Sequence, residues 1–297
     1  MDPEDAFTRG RAKLRDGDIE GAEKAFREAI ELAEGGGTDA VAAAATQDLG
    51  ILLLLTRRDR EAAAAFASAR DLWRTLGDDG AVSYCALCES AVRLNARISD
   101  LWKKGHAAVD WPERQAAARE MFGLYPELIS LYEQIGALQL VAGLYVAAAS
   151  TAQFLSEDTQ AIDWFLRGGS LYRDLSIADR AHHGFARAER LLQYHVNALL
   201  HRSQMEDALP LLAQLIDVSR ELGHREGQAT ALYNAAIATA QTSGDFRRAH
   251  GLASEALELF DPQSRAAENA RRLVERYAAD LERTETGEGD SALPSAS

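Results

Sequence analysis

The stretch Gly10–Leu32, GRAKLRDGDIEGAEKAFREAIEL, states a rule that the rest of the chain follows. Gly10, Gly17, Ala22, Phe26 and Ala29 fall where two antiparallel helices need small residues at their crossing and one aromatic knob beside it. Gly50, Ala62, Phe66 and Ala69 each stand 40 residues after Gly10, Ala22, Phe26 and Ala29. Recurrence at this spacing is the signature of stacked helical hairpins. The fold class that follows is all-α, built of antiparallel helix pairs.

Working outward, the Ala that begins each second helix forms a ladder: Ala22, Ala62, Ala118, Ala161, Ala208 and Ala249, with steps of 40, 56, 43, 47 and 41. Four residues on stand Phe26, Phe66, Phe122, Phe165, Leu212 and Ala253, so the knob is kept in four rungs and decays in two. A second ladder closes the hairpins: LWRTLG ending at Gly77, LYEQIG at Gly136, LYRDLS at Ser176 and VSRELG at Gly223. Apolar residues at i and i+4 before a glycine describe an amphipathic last turn with a left-handed cap. The pattern predicts helices at about 2–16, 19–34, 38–56, 59–76, 79–104, 112–135, 137–154, 157–175, 178–201, 205–222, 225–242, 245–260 and 263–284. Tight Asp- and Gly-bearing links such as Gly17-Asp18, Asp59 and Gly244-Asp245 join them. Residues 1–284 read as one helical solenoid of about six hairpins plus a C-terminal helix.

The third step is about 16 residues too long. It holds LWKKGHAAVDWPERQ, residues 101–115, where Gly105 and Pro112 are expected to interrupt helix, and Pro126 to break or restart the next one. Two readings stand for Trp102 and Trp111: they fill a small core of a looser hairpin, or they form a lip over a binding groove. The tail 285–297, polar and rich in Gly, Ser and Pro, is expected to be disordered.

Composition narrows the function classes. The chain has 297 residues, 47% hydrophobic and 26% charged, in the range of folded globular sequences. Its formal charge of −14 disfavours direct binding to nucleic acid or to anionic membrane. No apolar run approaches the roughly 18 residues of a membrane span. The acidic start MDPEDAFTRGR lacks a secretory core, so the expected location is cytoplasmic.

Only two cysteines occur, Cys85 and Cys88. They lie inside a helical pattern with no second ligand pair, so they read as buried structural thiols rather than a zinc or redox site. Seven histidines form no ligand motif, and no phosphate loop, dinucleotide fingerprint or nucleophile elbow is present. Paired carboxylates such as Glu20 with Glu23 and Glu255 with Glu258 read as solvated helix faces. The expectation is a non-enzyme with no catalytic residue, no metal and no cofactor.

The residues Gly10, Gly17, Ile19, Ala22, Phe26, Ala29 and Ile30 resemble a tetratricopeptide repeat. Leu49-Gly50 followed by Ala62, Phe66 and Ala69 does so too, and Thr230–Leu259 is similar, although it is one residue too long between Asn234 and Gly244 and lacks the aromatic at Ala253. The likeness spans about residues 4–260. The period of 40 exceeds the usual family unit of about 34, and resembles the long-helix subgroup of bacterial regulators and signalling adaptors. Leu131–Gly223 is also similar in hairpin layout to soluble attachment proteins of the membrane-fusion machinery.

The resemblance implies a right-handed superhelical solenoid whose first helices line a concave groove. Carried over position by position, the groove residues are Phe7, Arg11, Gln47, Tyr84, Asn95, Ser150, Gln153, Arg190, Gln193, Asn197, His201, Asn234 and Gln241. Amides are frequent here and can bond both N–H and C=O of an extended chain. Lysine is absent, which departs from the family's carboxylate clamp. Arg190, Gln193, Asn197 and His201 share one stripe of the ninth helix, with Asn234 expected beside them; Gln153 and Tyr84 complete the expected partner-binding set, with Trp102 and Trp111 as its lip. The plain alternative is a merely solvated stripe.

Three functions stand against one another: a non-catalytic scaffold or adaptor holding a protein or peptide in its groove, a regulator that changes curvature on binding a peptide or metabolite, and an attachment-protein-like adaptor. Oligomeric state is left open.

Overall fold

A computed structural model describes residues 2–285, so residues 286–297, most of the expected tail, lie outside the described residues. Among the described residues there are thirteen α-helices and no strand. The chain divides into two compact units, Met1–Glu157 and Asp158–Ser297.

The first unit holds α1 (Pro3–Arg15), α2 (Ile19–Gly36), α3 (Asp39–Leu55), α4 (Asp59–Leu76), α5 (Asp79–Ala107), α6 (Trp111–Ile135) and α7 (Leu138–Phe154). Each helix packs on the next along the chain, and α1 also touches α3. The second unit holds α8 (Asp158–Asp174), α9 (Ala178–His201), α10 (Met205–Glu221), α11 (Arg225–Ser243), α12 (Phe246–Leu259) and α13 (Arg265–Glu285), packed consecutively in the same way. All thirteen helices fall within three residues of the bounds expected from the ladders.

The crossings explain why these residues were needed. Ala22, Ala62, Ala118, Ala161, Ala208 and Ala249 are all buried. A Cβ placed on Gly10 would stand 2.6 Å from the Phe26 ring, and one on Gly50 would stand 2.9 Å from the Phe66 ring. Glycine therefore admits the knob. In the second unit the arrangement changes hands: Gly169 of α8 faces Phe185 of α9, and a Cβ on Gly184 would meet the backbone of Gly169 at 3.0 Å. There, two glycines bring helix backbones into direct contact.

The closing turns behave as the cap argument requires. Gly77, Gly136 and Gly223 have φ of 75°, 78° and 68°, and Ser176 takes the same left-handed conformation at 60°. Other interhelical links reuse it: Gly17 and Gly244 are joined by Arg57, Ser156 and Ser203, each with positive φ despite bearing a side chain.

The third repeat corrects three expectations. Gly105 does not interrupt helix; α5 runs through it for 29 residues, because small Gly105 lies against Ala117 of α6, where a Cβ would find the Ala117 Cβ at 3.3 Å. The extra residues lengthen α5 and α6 rather than forming a loop, and only Ala108–Asp110 separate them. Pro112 sits in the first turn of α6, where its missing N–H is harmless, with Asp110 as cap. Pro126 stays inside α6. The knob also moves: Phe122 is half-buried while Tyr125 is buried, so the aromatic occupies the rung that Ala29 and Ala69 fill elsewhere.

Candidate functional site

The second unit presents the expected stripe. The core face of α9 is Ala181, Gly184, Phe185, Ala188, Leu192 and Val196, and residues 190, 193, 197 and 201 lie on the opposite side at a helical repeat of 3.6. Arg190, Asn197 and His201 are exposed and Gln193 is half-buried. Arg190 donates only to the helix carbonyl of Ala186, at 3.4 Å, and Gln193, Asn197 and His201 form no hydrogen bond with described residues. Beside them Tyr194 is 68% exposed, a residue the sequence reading passed over. Arg187, over the Phe165 ring, is lowered from its ordinary pKa by burial and by the neighbouring Arg190 charge.

Asn234 lies half-buried on α11, which packs on α10 as α9 does. Gln241, seven residues on and so on the same helix face, shares a polar recess of about 390 Å³ with Gln204 and Asp207 of the segment that follows His201. Asn234 and the α9 stripe are thus on helices flanking α10; no side-chain bond joins them.

The first unit uses its expected groove residues differently. Asn95 is buried and donates to Asp59 Oδ2 at 2.9 Å, fastening α5 to the start of α4. Gln47 accepts from Trp73 Nε1 at 3.0 Å, and Arg11 pairs with Asp48 at 2.6 Å while lying over the Phe7 ring. Tyr84 is half-buried, its phenol held protonated well above the ordinary range by burial, with Cys88 beside it. Ser150 and Gln153 are half-buried on α7. Cys85 and Cys88 are buried free thiols, pushed up to about 11 and about 12 by burial.

Trp102 and Trp111 do not fill a small core of their own. They are 53% and 55% exposed, Trp102 on the last turns of α5 and Trp111 at the first position of α6. Trp102 stacks on His106 at 3.9 Å, and Trp111 meets Phe154 of α7 at 5.0 Å.

A correspondence at offset 100 was missed in the sequence. Glu89 of α5 and Glu189 of α9 are both buried carboxylates at apolar-period positions, and Asn95 and His195 both reach an aspartate that opens a neighbouring helix. Glu89 takes Arg70 at 2.7 Å and Arg93 at 3.0 Å. Glu189 accepts from Ser219 Oγ at 2.7 Å and from His224 Nδ1 at 2.9 Å. His195 Nε2 lies 3.0 Å from Asp158. A charged residue where the helix period demands an apolar one was the available signal. On α5 the counterparts of Gln193 and Asn197 are Arg93 and Arg97, both committed to ion pairs.

Among the described residues no group of three or more His, Cys, Asp or Glu side chains is placed to hold a metal, and no helix is long and apolar enough to cross a membrane. No family profile and no curated protein matches the chain. Solved structures similar to it include the apo form of RapI, 10% identical over 95% of this chain and 99% of that one, with a TM-score of 0.37. A tetratricopeptide repeat protein from Parabacteroides merdae is 15% identical over 93% and 98%, with a TM-score of 0.28. A signal-transduction ATPase of the STAND class with a tetratricopeptide repeat sensor, from Pyrococcus horikoshii, is 11% identical over 96% of this chain and 42% of that one, with a TM-score of 0.35. By the glycine-and-knob geometry of its own hairpins, the chain is an all-α protein of consecutively packed helices with a recurring crossing rule.

Proposed function

We propose that the chain is a non-catalytic scaffold that binds a protein or peptide segment on the surface formed by Arg190, Gln193, Tyr194, Asn197 and His201, with Asn234 as a further contact. The observation that carries this reading is the unpaired state of the stripe. Its equivalent on α5 is consumed by internal ion pairs, whereas α9 keeps its amides without intramolecular hydrogen bonds and leaves Tyr194 68% exposed. Tyrosine and arginine dominate the energetics of protein contacts, because each combines broad apolar area with directional donors. Amides add main-chain recognition without demanding a particular partner side chain.

The test is recovery of partners from lysate by the native chain and by a variant combining Arg190→Glu, Asn197→Ala and Asn234→Ala, both checked for helical content. Loss of specific partners by the variant is expected. Equal recovery would remove the α9 surface from the proposal, and Tyr194→Ala supplies an independent single-residue version of the same comparison.

A further inference from the structure

We infer that the aromatic end of the first unit is a second, separate binding site, for a peptide segment that carries a bulky apolar side chain next to a carboxylate. The site is a cavity of about 550 Å³ between the end of α5, the middle of α6 and α7. Its walls are Trp102, His106, Met121, Tyr125 and Phe154, with Arg114 at the edge. The volume falls within the range that holds a small ligand or one large side chain with its neighbours.

The cavity follows from the departure in the third repeat. In α2, α4, α8 and α12 the rung three residues beyond the knob position carries Ala29, Ala69, Gly168 and Ala256, which let the next helix close in, while α10 carries the aliphatic Leu215 there. Tyr125 stands on that rung in α6, buried, and α7 lines the cavity with the small residues Ala147, Ser150 and Thr151 before Phe154 at its end. A large residue on one side opposite small ones on the other leaves a hollow that the chain does not fill. Its lining leaves Trp102 53% and Phe154 39% exposed, and Trp111, 55% exposed, lies against Phe154, a grouping of large apolar rings that an isolated surface normally avoids.

Charge selects the occupant. Arg114 carries the one fixed formal charge among the residues lining the cavity, in a chain whose net charge is −14. Its Nε donates to the Ala108 carbonyl at 2.9 Å, which holds the guanidinium at the rim, and no described carboxylate pairs with it. Asp110 serves the helix start, its Oδ1 accepting from the Glu113 amide. His106 Nδ1 lies 2.9 Å from the Trp102 carbonyl, so that nitrogen carries the proton and Nε2 remains for a ligand. A planar fork of N–H donors beside an aromatic-walled hollow matches a carboxylate beside an apolar side chain. A basic peptide would meet the same hollow with like charge at its rim.

The test uses two short fluorescein-labelled peptides with the same Gly-Ser flanks, one centred on Glu-Leu-Phe-Glu and one on Lys-Leu-Phe-Lys, titrated against the full chain by fluorescence anisotropy. The acidic peptide is expected to saturate, the lysine peptide to bind at least about tenfold more weakly, and Arg114→Glu to lower acidic-peptide affinity by about tenfold or more. Ser150→Trp, which fills the hollow, should weaken both peptides, while Lys24→Glu on α2 should change neither. Arg114 is exposed, so its substitution tests the site without threatening the fold, and circular dichroism checks each variant. Failure of the acidic peptide to bind by millimolar concentration would overturn the inference. So would equal affinity for the two peptides, indifference to Arg114→Glu, or self-association of the native chain that buries Trp111.

Discussion

Substituting Gly50 by alanine tests the rule on which the fold was read. An ideal Cβ at position 50 stands 2.9, 3.0 and 3.1 Å from three ring atoms of Phe66, whereas non-bonded carbons rest at about 3.5–4.0 Å. The Phe66 ring is fully buried, so it has no solvent to retreat into. Overpacking of this kind costs about 1–3 kcal/mol. Alanine in place of glycine inside a helix returns about 1 kcal/mol, leaving a net loss of about 0–2 kcal/mol in the native background. With Phe66→Leu the ring is gone, and the same Gly50→Ala change should then stabilise by about 1 kcal/mol. The coupling between the two sites is therefore about 1–3 kcal/mol. Urea denaturation of the four proteins of this cycle, followed by helical circular dichroism, measures it. If Gly50→Ala has the same effect in both backgrounds, within about 0.3–0.5 kcal/mol, the glycine is not there to admit the ring and the knob argument fails.

Ser203 holds φ of 56° in the turn after α9; Ser203→Gly should stabilise the second unit by about 1 kcal/mol, read as an increase in urea midpoint, and a decrease would show that the serine side chain earns its place. Glu189→Ala removes the acceptor of fully buried Ser219 and of His224, so a loss of about 1–3 kcal/mol is expected, with Glu189→Gln costing less because it keeps an acceptor oxygen. Burial pushes Cys85 to about 11 and Cys88 to about 12, above the unfolded thiol at about 8.5. Their contribution to stability is thus whole below the unfolded value and declines as pH rises toward the folded values. Stability measured from about pH 8.5 to 10 should fall in the native chain and fall less in Cys85→Ala with Cys88→Ala, and neither thiol should react quickly with a thiol reagent at neutral pH unless urea is present.

Much of the architecture was legible because it depends on spacings that a helix imposes locally. The six-rung alanine ladder and the four closing motifs located thirteen helices, and every alanine of that ladder proved buried. The misreadings have local causes. Gly105 and Pro126 carry unfavourable intrinsic propensity, yet both stay helical; at Gly105 the close approach to Ala117 requires a residue without a side chain. Propensity is a weak prior that packing overrides. The buried pair Glu89 and Glu189 sat in plain view as charges on apolar-period positions, and was passed over because exposed helix faces are also rich in glutamate.

The sequence by itself determined the helices and their packing in chain order within each unit, since these rest on periodicity within short segments. Tertiary structure decided which polar residues are spent. Asn95 and Gln47 have the same amide chemistry as Asn197 and Gln193, but the first two are consumed by Asp59 and Trp73 while the latter two form no such bonds. The hollow beneath Trp102 was likewise undetermined by any one segment, because it arises where Tyr125 of α6 faces Ala147, Ser150 and Thr151 of α7. Whether a hydrogen-bonding group is satisfied, and whether facing surfaces fill one another, are properties of groups brought together from distant parts of the chain.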